Sequence, residues 1–458
     1  MDLEYGLRAL ALVAALGLAS HGVNAETLRE ALAQTYDTNP DIAAARAELR
    51  ATDESVPRAL SNWRPNVEVN GSYRLRDRSR EFSTGTDIDN TDQPQSVSLN
   101  ISQNLFRGFR TIAETDRARN LVAADRANLI DREQDVLLQA ATAYMNVVRD
   151  TAILELRENN VRVLEQQRQA TGDRFEVGEL TRTDVAQADS RLAQAVSDKT
   201  VAEGNLNSSI ADYVEVIGTR PNTPQRPGLP QGVPGSEEDA IALARVNNPN
   251  VVASDFTERA ARENVDLITG QLLPTLTLYG ELEANKDVLG SDTEATEKSI
   301  TLNLNVPLYQ SGEVYSQVRE AKQTAKQRFL ELAEKERAAQ ESAQNTWADL
   351  VSTTAQITSL EAEVRAQEIA FEGVRQEAQV GSRTVLDVLD AEQELLDARV
   401  GLVQAQRNHI VAAYELLAAV GRLTAEDLEL QVNLYDPTQN FEEVEGKLFG
   451  TDIQSGDK

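Results

Sequence analysis

The chain has 458 residues and a formal net charge of −29, with aromatics at only 5%, two Trp, two Met and no Cys. So acidic a surface has no basic face to neutralise phosphates, which excludes nucleic acid as a partner. Without Cys, and with His only at His21 and His409, the chain lacks disulfides, thiolate or multi-His metal sites and a Ser-His-Asp triad. No enzymatic activity, cofactor or metal ion is therefore expected.

Residues 1–25 read as a secretory signal. The apolar run from Leu7 to Leu18 is too short to span a bilayer, and Val23-Asn24-Ala25 is a small-x-small cleavage site before Glu26. A short helix is predicted from Glu26 to Thr38. Asn39-Pro40 then starts another, with an N-cap residue and a proline at the first helical position.

After Pro65 the period changes to two. Val67, Val69, Tyr73 and Leu75, then Val97, Leu99, Ile101 and Leu105, alternate with polar residues around a polar loop at about Phe82 to Asp92. Arg110 to Glu176 is a long helix interrupted only by Gly172. A Val177-Gly178 turn leads to a return helix, Asp184 to Ile217. Such runs, Ala-rich and spaced three-four, suit a coiled-coil seam more than a thick globular core.

Thr219 to Gly235 holds five of the 13 prolines and reads as a linker between residues 26–218 and 236–421. The order then repeats. Asn248-Pro249 starts a helix, Pro274 matches Pro65 and Gly280 matches Gly71. Leu276, Leu278 and Leu282, then Ile300, Leu302, Leu304, Val306 and Leu308, mark two more strands around a polar loop at Lys286 to Thr296. Glu313 to Gln379 is the second long helix, followed by Val380-Gly381 and the return helix Thr384 to Val420. The short helices after Asn39 and Asn248 are expected to stack end to end on the return helices. Residues 422–458 are acidic and aperiodic, and are expected to form a mobile tail, most clearly from Phe441 onward.

Strands of about ten residues with one apolar face suit an outer-membrane barrel facing lipid, although a soluble sheet packed on helices uses the same alternation. Four strands cannot close a barrel, which needs about eight, and open edges are not tolerated in lipid. A membrane reading therefore requires several chains to pool their strands.

The tip sequences AQVGSRTVLDVLDAEQELLDAR (Ala378 to Arg399) and FEVGELTRTDVAQADSRLAQA (Phe175 to Ala195) superpose residue on residue. Together with the paired Asn-Pro helices and the duplicated helix–strand–hairpin order, they resemble the TolC family of outer-membrane efflux and secretion ducts. The resemblance covers essentially the whole mature chain. It implies an α+β membrane protein, a homotrimer whose pooled strands form a barrel in the outer membrane and whose helices form a tunnel across the periplasm. It further implies a passive exit duct docked by an inner-membrane transporter and its periplasmic adaptor. Energy would come from that partner, since no GxxxxGK[ST] motif is present.

By the same resemblance, Asp184 and Arg383 match positions of the closing ionic links, and Asp387 and Asp390 match acidic rings at the constriction; Val177, Gly178, Val380 and Gly381, where the helical wall ends, are the expected adaptor-docking tips. Ala378 departs from the family, whose best-known member has a Tyr in the closing network. Read from spacing alone, Asp387 and Asp390 are an i, i+3 pair of the sort usually found solvated on a helix surface. Arg383, near a helix start, opposes the macrodipole and calls for a carboxylate partner. The competing readings are a periplasmic coiled-coil scaffold or adaptor without a pore, and an envelope hydrolase, which the residue inventory disfavours.

Overall fold

The computed structural model describes residues 26–453 apart from 82–84, 86 and 289–291, so the signal-sequence expectation lies outside the described residues. In chain order come α1 (Leu28–Thr38), α2 (Pro40–Asp53), α3 (Ser55–Leu60), β1 (Asn66–Tyr73), β2 (Arg76–Glu81), β3 (Asp87–Asp92), β4 (Gln95–Arg107), α4 (Arg110–Glu176) and α5 (Arg182–Ile217). The second half contributes α6 (Glu237–Asn247), α7 (Pro249–Thr269), β5 (Thr275–Lys286), β6 (Glu294–Asn305), α8 (Glu313–Gln379), α9 (Val385–Ala419) and, beyond the repeat, α10 (Gln439–Glu445).

The helix α4 and its counterpart α8 have 67 residues each, hence roughly 100 Å of length at 1.5 Å per residue. The shorter return helices pack along them, and α2 and α7 take up the remaining length. Two asparagines make those stacks. Asn39 Oδ1 accepts the Asp41 N–H at 2.8 Å, capping α2, while its Nδ2 donates to Val216 O, an orphan carbonyl of α5, at 2.9 Å. Asn248 repeats this, accepting from Asn250 N at 3.1 Å and donating to Ala419 O of α9 at 3.1 Å. One side chain thus satisfies the start of one helix and the end of another. Gly421 makes the junction possible: its φ is +76°, and a Cβ there would lie 2.3 Å from Asn247 O.

The four-stranded sheet is antiparallel in the order β1-β4-β5-β6. Its register aligns Val69 with Leu99 and Leu282, Val67 with Ile101 and Gly280, and Leu278 with Leu302. These positions share one face, and Val69 is 71% and Ile300 85% exposed. The opposite face carries Glu68, Asn100, Ser102, Glu281 and Thr301, which line a concavity with Tyr279.

Several expectations need correction. Leu75, and Val306 with Leu308, lie beyond the ends of β1 and β6. Within the polar loop predicted at Phe82 to Asp92, residues 87–92 form β3, which pairs with β2 apart from the main sheet, and Arg76 is ion-paired to Asp92. The alternation through Leu105 is broken by a register shift between Asn104 and Phe106, so that Phe106 rather than Leu105 opposes Leu276. A bulge of this kind leaves one residue unpaired and turns the strand end. Of the segment expected as a mobile tail, residues 423–430 and 439–445 pack on the body. Leu423, Ala425, Leu428 and Leu430 join the equatorial core with Leu32, Tyr36 and Tyr213. Phe441 of α10 packs with a cluster containing Leu49, Val56 and Val122, and Asn440 Nδ2 donates to the buried Asp53 carboxylate at 2.8 Å. Few long side chains recur at helical spacing here, so packing against α2 and α3, rather than periodicity, orders it.

The Pro-rich linker is pinned as well. Glu26 exchanges backbone hydrogen bonds with Asn222 and Gln225 at 3.1 Å each. The Tyr144 hydroxyl lies 2.7 Å from the carbonyls of Glu26 and Gln225, and Tyr213 bonds the Glu26 carboxylate.

Candidate functional site at the helical tips

Both hairpins end in the same turn, and the reason is local. Gly178 and Gly381 adopt φ of +81° and +80°, the left-handed conformation that closes a helix and that glycine takes without a steric penalty. Their amides return to the preceding turn, Gly178 N to Phe175 O at 2.9 Å and Gly381 N to Ala378 O at 3.2 Å. Thr181 and Thr384 then start the return helices as N-caps with reciprocal capping boxes. Val177 and Val380, beside the glycines, are 73% and 81% exposed.

Asp184 and Asp387 are the acidic halves of those boxes. One oxygen of Asp184 accepts from the Thr181 hydroxyl at 2.7 Å and the Thr181 amide at 2.8 Å. Asp387 accepts from the Thr384 amide at 2.9 Å and its hydroxyl at 2.8 Å. The threonine hydroxyl and then its amide hold the Asp184 carboxyl below the usual range; for Asp387 the amide contributes more than the hydroxyl. Both carboxylates stay charged through neutral and mildly acidic pH.

Arg383 does not meet Asp184 within one chain. Its Nε donates across the turn to Glu377 Oε2 at 2.9 Å, and this carboxylate raises the guanidinium pKa further. The first tip has the inverse arrangement, Arg174 before the turn bonding Glu179 after it at 3.0 Å. Asp390 is not a bare ring carboxylate either: Arg191 of α5 donates to its Oδ1 at 2.6 Å. That pair joins the two hairpins of one chain. Around it, Arg168 bonds Asp189 at 2.9 Å and Arg399 bonds Glu368 at 2.7 Å, tying each return helix to its long partner. Leu164, Ala195, Val385 and Leu389 form a small apolar core beneath these links.

Sequence reasoning passed over Arg191, Glu377 and Glu392. Glu392 had a readable signal, since it occupies the buried stripe Val385, Val388, Leu389, Leu395, Leu396 at helical spacing. Arg191 and Glu377 had none beyond their proximity to the turns, because their partners lie on other elements or across a loop.

A profile of the family described as outer membrane efflux protein matches residues 31–219 and 240–422. The chain belongs to this family. Among outer membrane efflux proteins it is similar to BepC of Brucella suis, with 34% identity over 432 residues spanning 94% of this chain and 93% of that one. It is also similar to the outer membrane protein TolC of Vibrio cholerae, with 27% identity over 426 residues, 91% of this chain and 95% of that one. The outer membrane channel CmeC of Campylobacter jejuni has the same fold, with a TM-score of 0.79 at 16% identity over 92% of this chain and 89% of that one. The protein is thus an outer-membrane efflux channel. Among the described residues no helix is long and apolar enough to cross a membrane.

Proposed function

We propose that the chain assembles as a homotrimer into the exit duct of a tripartite efflux or type I secretion system, a passive conduit gated at its periplasmic tips. The observation that carries this reading is the open sheet: four strands, one face apolar, and β1 and β6 each lacking a partner on one side among the described residues. Lipid does not tolerate such edges, so β6 of one chain pairs with β1 of the next. Two chains would give a barrel filled by its own side chains, as eight-stranded barrels are. Three copies of the four-stranded sheet leave a lumen lined by the polar face of Glu68, Asn100 and Glu281.

At the other end, the exposed Val177-Gly178 and Val380-Gly381 turns are the docking surface for a periplasmic adaptor, itself bound to an inner-membrane transporter. Arg383 of one chain and Asp184 of a neighbour are candidates for a closing contact. Both carry charge at the tip, and Glu377 and Thr181 are exchangeable partners on the surface. Asp387, near Arg383, and Asp390, ion-paired to Arg191, contribute acidic rings each damped by an arginine.

The test is assembly and conductance. The purified protein should migrate as a heat-modifiable trimer from the outer-membrane fraction and form cation-selective channels in planar bilayers. A monomer or dimer without channel activity would favour the scaffold reading. Cys placed at Glu179 or Ser382 should cross-link to the adaptor, and cross-linking confined to the 219–235 linker would move docking to the equator.

A further inference from the structure

Glu392 lies about 10 Å along α9 from that helix's first residue. It opens on a cavity of about 290 Å³ between α4, α8 and α9. One wall is apolar, formed by Leu156, Phe371, Leu395 and Leu396. The other presents two polar side chains that are more than nine-tenths buried, Glu392 at 8% and Asn160 at 6% exposure. Neither side chain makes a hydrogen bond to any described residue. The other charged groups lining the cavity are Glu368 and Arg399, which bond each other at 2.7 Å; α4 contributes only neutral Asn159 and Asn160 as polar groups.

A largely buried carboxylate without a protein donor is costly, and it is relieved by a proton, by water in the cavity or by a cation. Burial alone pushes the Glu392 carboxyl up to about 7, so both forms are accessible near neutral pH. The lining argues against a divalent metal ion. Calcium takes about six to eight oxygens and magnesium a near-ideal octahedron, whereas this cavity offers one unpaired carboxylate and amide groups. It has instead the volume and the apolar wall for a small organic body, together with one charge to orient it.

We propose that this cavity binds a small lipophilic ammonium ion, with its charged nitrogen on the Glu392 carboxylate and its apolar body against Phe371 and Leu395. The occupant would touch α4, α8 and α9 together and so favour the helix packing seen here over any arrangement in which α9 swings away.

The experiment is benzylamine binding to the purified full-length protein in detergent, followed by calorimetry and ligand-observed NMR, with benzyl alcohol as the neutral isostere. Binding is expected at pH 8, weakened at least tenfold by Glu392→Gln and by replacing the amine with the alcohol. In the unsubstituted protein the affinity should fall about tenfold between pH 8 and pH 6 as Glu392 takes up a proton. This series decides the matter even if the variant fails to assemble. Absence of binding, equal affinity for the alcohol, retained affinity in Glu392→Gln or an affinity independent of pH would each overturn the proposal. None of these readouts depends on channel conductance, so failure of the duct reading would not mimic them.

Discussion

Replacing Arg191 with Gln removes the guanidinium that joins α5 to Asp390 at 2.6 Å while keeping most of the side-chain length. The two side chains are 40% and 49% exposed, which places the pair in the class of partly screened ion pairs worth about 0.2–1 kcal/mol. One such link holds little. If three act together around the axis, the sum is about 0.6–3 kcal/mol, or a change of roughly 3- to 150-fold in the ratio of closed to open tips. The same substitution returns a full negative charge at each Asp390, close to the Asp387 carboxylates, so the constriction becomes more acidic. In planar bilayers Arg191→Gln should therefore raise single-channel conductance and strengthen both cation selectivity and block by multivalent cations. Adding Asp390→Asn should reverse the selectivity and block while leaving the raised conductance. The reasoning is refuted if Arg191→Gln leaves conductance and multivalent block unchanged, for then the link neither holds the tips nor screens the ring.

Leu302→Arg, on the apolar sheet face, should cost about 2–4 kcal/mol in refolding into lipid vesicles, whereas Thr301→Arg on the facing polar side should be mild; equal effects would argue against a membrane barrel. Asn248→Ala should lower stability by about 1–3 kcal/mol, because it removes a helix cap and the donor to Ala419 O together. Asn248→Asp, which keeps the cap and loses the donor, should fall between, as read by urea denaturation. The raised Glu392 carboxyl makes folding stability decline as pH rises from the ordinary glutamate range to about 7 and stay level above it, since only the native state retains the proton in that window. Glu392→Gln should accordingly stabilise on the order of 1–3 kcal/mol at pH 8 and little at pH 4, a difference that thermal unfolding followed by circular dichroism would detect.

Much of this molecule is local in origin and was legible as such. The limits of α4 and α8, the two glycine turns, the threonine caps and the four sheet strands all follow from signals within a few residues: helix-breaking glycines, capping side chains and a period of two. The duplication made each of them readable twice. The paired Asn-Pro starts were visible too, but not that Asn39 and Asn248 reach Val216 and Ala419, because those carbonyls lie more than 170 residues away in sequence. The bulge at Asn104 and the folding of the C-terminal segment onto Asp53 likewise depend on what lies opposite. Sequence located Asp184, Arg383, Asp387 and Asp390 near the helical tips and could not assign their partners. Arg383 bonds Glu377 across its own turn, whereas Asp390 bonds Arg191 and Glu392 faces a cavity because of which helix faces come together in space. Backbone hydrogen bonding within a helix or turn is encoded by neighbours along the chain. The neutralisation of a charge such as Asp390 by Arg191, 199 residues away in sequence, is encoded only by neighbours across the fold.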